Sequence, residues 1–138
     1  MNLILNILDN NSAEWILVDE IEKKHRFAMQ QGQENILAEL DVFLGKEKVK
    51  LGDIDGLGLA IKQASLTQVK VQVTIINTLG WQLNISTVAD FYYKDDLKIE
   101  GLVTQIKKQK HFQAIKPEYQ REAEITISKK TPKFTISK

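Results

Sequence analysis

Short apolar runs alternate with turn-forming residues along the first thirty positions of the chain. Leu3 to Leu8 has the apolar content of a buried strand, and the Asp, Asn and Ser residues at 9–12 favour a tight turn. Ala13 to Asp19, centred on Trp15, and the weaker segment His25 to Met29 also have strand-like content. The pattern predicts three consecutive strands, of which the first two form a hairpin.

Beyond Gly32 the apolar positions follow a helical spacing. They fall on one side of a helical projection: Ile36, Leu37, Leu40, Phe43 and Leu44. The spacing predicts a helix over about residues 33–45, with Gly45 at its end. Leu51 to Asp55 is a short connection into the uncharged run Gly56 to Ile61, which is short enough for a strand buried on both faces.

Residues 65–79 carry two competing patterns. Apolar and polar residues alternate strictly over 69–75, which favours a strand, whereas Ser65 is a good N-cap and Leu79-Gly80 offers a helix stop. In a helix the apolar residues form two stripes, with Leu66, Val69, Val73 and Ile76 in the first and Val71, Ile75 and Leu79 in the second. We predict a helix, chiefly on a family resemblance described below. The domain's own sheet would cover one stripe, and either a partner or the rest of this chain would cover the other.

The last third of the chain is predicted with shorter elements. Trp81 to Ile85 is a plausible fifth strand, Thr87 to Tyr93 a short helical or irregular piece, and Lys94-Asp95-Asp96 a solvated joint. Apolar spacing from Leu97 predicts a helix that runs to about Lys110. From Glu124 onward the alternation is compatible with an edge strand and with a loose tail.

Composition and charge narrow the possible functions. The 138 residues have room for one domain, and the absence of cysteine excludes disulfides, thiolate metal sites and a cysteine nucleophile. The chain has no apolar stretch near ~18 residues and no signal-peptide pattern at Met1, so we expect a cytoplasmic protein. Residues 1–97 carry a net charge of −5 and residues 98–138 one of +6. The basic end either follows nucleic-acid phosphates or solubilises the surface.

Several strings along the chain resemble one family. Ile7 to Glu14 is similar to a family strand-turn pattern "IDTST-E" with Asp9 at the acidic position, and Leu51 to Leu59 resembles its "LSDIDAIAV". Asn35 to Leu40 resembles the stretch that follows the family's "HSR" motif. Near the end, Pro117, Tyr119 and Arg121 match the closing "P-YLR-P--T" segment. The family is TsaB (YeaZ-like), a subunit of the bacterial machinery that makes threonylcarbamoyladenosine in tRNA.

The chain departs from this family at two places. The family string "GPGSFTGLRIG" falls on Lys62 to Gln72, where Ser65 and Thr67 are unchanged, Lys70 replaces arginine, and Gln63, Ala64 and Gln68 lie where the glycine-rich string would be. Most of the family's second lobe is missing between Tyr93 and Leu97. Actin-like ATPases hold nucleotide between two lobes with glycine-rich turns, so we expect no ATP hydrolysis and no bound cofactor.

The resemblance implies both a fold and a role. The implied fold is α/β, a single actin-like-ATPase (ribonuclease H-like) lobe over residues 1–92 with a mixed sheet of about five strands in the order β-β-β-α-β-α-β. A short joint, a helix and a basic tail follow at 93–138. The implied role is that of a non-catalytic scaffold that binds a TsaD-like enzyme, or a second copy, through the helices near 33–45 and 65–79. The implied interface residues are Ile36, Leu40, Leu66, Val69, Val73 and Ile76.

Two other classes of function stay open: a basic accessory domain that binds tRNA, and a residual enzyme with a nucleotide site near Asp9. Histidine-based catalysis and metal binding have little support, because His25 and His111 are each flanked by basic residues. Asp53 and Asp55 are expected to serve a turn before a strand, since no acid–base partner accompanies them. We therefore expect no metal site.

Overall fold

The structure, a computed structural model, describes residues 1–30 and 35–118. Its strands are Asn2–Asp9 (β1), Ser12–Val18 (β2), Lys24–Gln30 (β3), Gly56–Ile61 (β4) and Ser86–Phe91 (β5). Its α-helices are Ile36–Glu47 (α1), Leu66–Leu83 (α2) and Ile99–Lys108 (α3), and a 3-10 turn spans Leu51–Asp53. The predicted order of three strands, helix, strand, helix and strand, with a further helix, is confirmed.

The strands form one mixed sheet in the order β3-β2-β1-β4-β5. The hairpin strands β1, β2 and β3 run antiparallel, with Leu5 opposite Trp15 and Trp15 opposite Phe27. Strands β4 and β5 run parallel to β1, because the helices α1 and α2 carry the chain back between them. The central position of β1 explains why its sequence is an almost continuous apolar run.

Helices cover both faces of the sheet. On one face α1 and α2 pack on alternate residues of the strands, including Leu3, Leu5, Ile7, Trp15, Leu57 and Leu59. On the other face the apolar side of α3 packs on Ile4, Ile16, Val18, Ala60 and Val88. Gly58 on β4 lets α3 approach closely, since a Cβ there would lie 3.0 Å from Leu102 Cδ2. The result is a three-layer lobe.

Helix α2 forms where local alternation favoured a strand. The Ser65 side chain caps it by accepting a hydrogen bond from the Gln68 N–H at 3.2 Å. Leu79-Gly80 does not end the helix, which continues to Leu83 and ends at Asn84 in the left-handed conformation (φ 55°). Gly80 lies inside the helix, and its lack of a side chain lets α2 pack closely against Thr87 and Phe112.

This longer helix changes the assignments that follow. The predicted strand at Trp81 to Ile85 is wrong, because residues 81–83 belong to α2. The prediction of a helical or irregular piece at 87–93 is wrong as well, since most of these residues form β5. The predicted stop at Gly45 also fails: α1 runs to Glu47, and Lys48 takes the left-handed conformation that ends the helix (φ 58°).

Residues 109–118, the return segment, form neither helix nor strand and contact α2. The Asn77 amide donates to the Ile115 carbonyl at 3.0 Å and accepts from the Ile115 N–H at 2.7 Å, so one side chain satisfies both backbone groups. The Tyr93 hydroxyl donates to the Glu118 carbonyl at 2.7 Å. The predicted strand or tail after Glu124 lies outside the described residues. Across residues 1–30 and 35–118, the helices are all too short or too polar to cross a bilayer.

Candidate functional site

The interface residues expected from the resemblance lie mostly in the core of the lobe. Exposed fractions are 2% for Ile36, 3% for Leu40, 2% for Val69, 5% for Val73 and 0% for Ile76. Leu66, at 51%, is the exposed member of the set. Apart from Leu66, the first apolar stripe of α2 therefore faces the sheet, and these five side chains stabilise the lobe. Leu40 also lines the groove between the helices described next.

The outward-facing apolar surface is the second stripe of α2 together with the outer side of α1. Leu37 is 50% exposed and Val71 is 43% exposed. Between the helices runs an open groove of about 640 Å³, lined by Leu37, Ala38, Leu44, Val49, Leu51 and Leu79. Asp41 and Lys50 also line it, so an apolar floor meets both signs of charge. The two-stripe pattern of α2 was the signal for this surface, but the sequence could not tell which stripe faces out.

Two residues that match the family's strings, Asp9 and Ser65, lie at the carboxyl ends of the strands. Asp9 Oδ1 accepts from the Asn11 N–H at 2.7 Å, which shapes the β1–β2 turn. Asn10 Oδ1 accepts from the Ser65 N–H at 3.0 Å and so joins this turn to the start of α2. The β1–β2 turn that contains Asp9 thus lies beside Ser65 at the start of α2. The Ser65 N–H is therefore already hydrogen-bonded to a side chain. In a glycine-rich phosphate-binding turn, a backbone N–H of this kind faces the phosphate.

The remaining motif residues contribute less to this turn. Thr67 and Lys70 are exposed on the first turns of α2. Pro117 is exposed near the end of the return segment. Tyr119 and Arg121 lie outside the described residues.

A row of hydrogen-bonded polar side chains crosses the sheet on the face that carries α3. The Tyr92 hydroxyl donates to Asn6 Oδ1 at 2.7 Å, and Asn6 Nδ2 donates to Glu14 Oε2 at 2.8 Å. Arg26 Nη1 donates to the same Glu14 oxygen at 3.0 Å. Burial raises the pKa of Tyr92, so its hydroxyl stays protonated and donates. Because each buried group has a partner, the row ties three strands to the segment after β5.

Asp90, near the end of β5, is a candidate functional residue that was not identified from the sequence. Desolvation, and then the nearby negative charge of Asp95, raise the pKa of this carboxyl group. Perturbed carboxyl groups are enriched at functional sites. A charged residue inside the otherwise uncharged run Ser86 to Tyr93 was the available signal.

His25 lies between two carboxylates rather than in a catalytic arrangement. Its Nε2 is 3.0 Å from Asp19 Oδ2, and its Nδ1 is 3.1 Å from Glu47 Oε1. The hydrogen bond from His25, followed by one from the Lys23 N–H, lowers the pKa of Asp19. Within residues 1–30 and 35–118, no three His, Asp or Glu side chains form a group that could hold a metal ion.

The strand order and the positions of the helices define the fold class of this lobe. A mixed sheet in the order β3-β2-β1-β4-β5, with α1 and α2 on one face, is the actin-like (ribonuclease H-like) arrangement. The chain is an α/β protein with a single such lobe in its described part.

Comparisons with solved structures identify proteins that share this arrangement. The chain is similar to YeaZ from Pseudomonas aeruginosa, with a TM-score of 0.57 and 16% identity over 64% of this chain and 43% of that one. It is equally similar (TM-score 0.57, 15% identity) to an uncharacterized protein described as having similarity to peptidase YEAZ from Pseudomonas aeruginosa, over 64% and 41% of the two chains. The match confirms the resemblance to YeaZ (TsaB) proteins at the level of the fold, and it spans less than half of their length.

Comparison at the sequence level gives no further relative. No protein-family model matches the chain, and no curated protein matches it. The fold is thus the part of the resemblance that the comparisons support.

Proposed function

We propose that this protein is a non-catalytic, TsaB-like scaffold subunit that binds a TsaD-like enzyme, or a second copy of itself, in tRNA threonylcarbamoyladenosine modification. Association, not chemistry, is its mechanism. The proposed contact surface is the outer side of α1 and α2, and not the inner stripe of α2 that the resemblance implied. The helices are those expected from the resemblance, but the side chains are different.

The observation that carries this proposal is the apolar groove between α1 and α2. Leu37, which is about half exposed, lines the groove, and Leu79 contributes to its wall. Val71, on the outer side of α2, is 43% exposed and extends the apolar surface beyond the groove lining. Burying such side chains against a partner is favourable by roughly 25 cal/mol for each Å² of apolar surface removed from water. Half-exposed aliphatic residues around an apolar floor suit a protein interface whose centre excludes water.

The contact between the β1–β2 turn and the start of α2 supports a non-catalytic role. The Asn10 side chain occupies the Ser65 amide, and the residues around it carry side chains where phosphate-binding loops use bare glycine backbone. The chain also matches less than half the length of the YeaZ structures.

Calorimetry with a TsaD-like protein from the same source tests the proposal. We expect Leu37→Asp and Val71→Asp each to weaken binding at least about tenfold, since each buries a charge at an apolar contact. The matched control is Ile21→Asp, because Ile21 is 82% exposed in the β2–β3 turn, away from the groove. If all three variants weakened binding equally, or if none of them weakened it, the groove would not be the interface.

The absence of catalysis is tested separately. We expect no heat of binding and no phosphate release when ATP and magnesium are added to the protein alone. Measurable hydrolysis would overturn the non-catalytic assignment, whatever the outcome at the groove.

A further inference from the structure

A second surface lies where α3 ends and the return segment begins, away from the α1–α2 groove. It contains an open hollow of about 410 Å³ whose polar lining is Gln105, Lys108, Gln109, Lys110, His111 and Gln113. The apolar floor is Val88 on β5. Two lysines, a histidine and three glutamine amides thus converge on one depression.

The positive charge of this hollow is not neutralised by ion pairs within residues 1–30 and 35–118. Among the described residues, the nearby lysines that form ion pairs are Lys107, which is 3.8 Å from Glu22, and Lys24, which is 2.7 Å from Glu100. No described carboxylate lies within 4.0 Å of Lys108 or Lys110. Residues 104–118 contain four lysines and one glutamate. The hollow therefore attracts anions.

The backbone around the hollow is held in place by one of its own amides. Gln109 Nε2 donates to the Thr87 carbonyl and to the His111 carbonyl, both at 3.1 Å. These bonds fix the turn from α3 into the return segment and so hold Lys108 and Lys110 on either side of Gln109. Gln105 and Gln113 are exposed at the hollow and keep amide groups that can donate to and accept from a ligand hydroxyl.

An exposed aromatic ring borders the same segment. Trp81 is 70% exposed, which is unusual for so large an apolar side chain. It shares a helix face with Asn77, which binds Ile115, and it follows Gly80, against which the Phe112 ring lies. Trp81 thus lies one residue from Gly80 and one helical turn from Asn77, the two α2 positions that contact the return segment at Phe112 and Ile115. The same segment supplies His111 and Gln113 to the hollow.

We propose that this surface, the basic flank formed by Lys108, Lys110, His111, Gln113 and Trp81, binds single-stranded RNA. Lysines that follow a backbone of phosphates, next to an aromatic ring on which a base stacks, are the usual components of single-strand binding. A duplex keeps its bases stacked and would leave Trp81 without a role. The glutamine amides offer partners to the 2′-hydroxyl, which distinguishes RNA from DNA. This proposal holds whether or not the α1–α2 groove binds a partner.

Fluorescence anisotropy with a labelled single-stranded RNA of about 15 nucleotides tests it, since one such surface covers roughly 4–16 nucleotides. We expect Lys108→Ala with Lys110→Ala to weaken binding about tenfold at low salt. The slope of log affinity against log salt should fall by about 1.4, because two phosphate contacts are removed. Trp81→Ala should weaken binding about tenfold with little change of that slope, because stacking is not ionic.

Three controls make the outcome decisive. Lys23→Ala with Lys62→Ala removes the same charge from exposed positions elsewhere, and circular dichroism verifies that every variant is folded. The same sequence as DNA, and as an RNA duplex, should bind more weakly. Absence of salt-dependent binding, equal loss in the control pair, or equal affinity for the single-stranded DNA would each overturn the assignment to RNA.

Discussion

Val69 and Val71 lie two residues apart on α2 and face different surroundings. Val69 is 2% exposed and packs in the core under the sheet, whereas Val71 is 43% exposed on the outer side. We expect Val69→Asp to lower the free energy of unfolding by about 3 kcal/mol or more, because it buries a charge without a partner. We expect Val71→Asp to change it by less than about 0.5 kcal/mol.

Chemical denaturation of the two variants checks this pair. Because the substitution is the same, side-chain propensity is matched and the difference reports the orientation of the helix. Similar stabilities for Val69→Asp and Val71→Asp would contradict the placement of α2.

Asp19 gives the lobe a defined dependence on acid. The hydrogen bond from His25 lowers the pKa of Asp19 in the folded protein below its unfolded value of about 4. A carboxyl group of this kind stabilises the fold above the unfolded pKa, and the contribution is lost as the pH falls through the folded pKa. We therefore expect Asp19→Asn to lower the melting temperature at pH 7, and the difference from the wild type to shrink toward pH 3.

Thermal unfolding at both pH values measures the effect. Asn keeps an oxygen that can accept the Ile21 and Lys23 amide hydrogens, so the variant isolates the charge facing His25. Glu20→Gln, at an exposed neighbouring carboxylate, is the control and should change neither melting temperature. A deficit of the Asp19 variant that persists unchanged at pH 3 would contradict the account.

At the scale of elements, two glycines inside helices have opposite roles. A Cβ on Gly80 would overlap Thr87 Oγ1 and lie 3.1 Å from the Phe112 ring, whereas a Cβ on Gly45 would meet nothing within 4 Å. We expect Gly80→Ala to destabilise the protein by about 1–3 kcal/mol through overpacking, despite the helix propensity of alanine. We expect Gly45→Ala to stabilise it by about 0.5–1 kcal/mol.

Urea denaturation of both glycine variants measures these changes. Because both substitutions improve helix propensity equally, opposite signs of the two changes in unfolding free energy report the difference in packing around the two glycines. Stabilisation by Gly80→Ala would mean that α2 does not approach β5 and the return segment as closely as described.

The same two glycines show where prediction from sequence reached its limit. Periodicity located the strands β1 to β4 and the helices α1 and α3, because a core face imposes a regular spacing. It did not decide α2, which was predicted chiefly on the family resemblance because the local alternation favoured a strand. The predicted ends of α1 and α2 were wrong, because each helix continues past its glycine. Gly80 serves close packing inside α2, whereas Gly45 lies inside α1 at a position where a Cβ would meet nothing within 4 Å. The error at Gly80 then displaced the strand assigned to Trp81–Ile85.

The candidate interface was predictable only in part, for a related reason. The two apolar stripes of α2 are visible in the sequence, but each has the right spacing to face the sheet. Only the packed structure shows that Val69, Val73 and Ile76 lie inside and Val71 lies outside. The hollow at Lys108 and Lys110 depends on the path of the return segment, which has no periodic signal.

At the scale of the whole molecule, the lobe presents two separate surfaces on a shared core. The apolar groove lies between α1 and α2, and the basic flank lies at the end of α3 beside Trp81. Charge follows this division within the described residues, because residues 98–118 carry five lysines and two glutamates. A scaffold with an apolar surface for a protein and a basic surface for RNA could hold both at once.

The solution mass, measured by light scattering over a dilution series, tests the central claim that this protein acts by association. It is measured alone and with a TsaD-like protein from the same source. We expect a homodimer, or a mixed complex that replaces it, and we expect Leu37→Asp to return the chain to a monomer of about 15.8 kDa. A strict monomer at every concentration, with no shift when the candidate partner is added, would contradict the scaffold role.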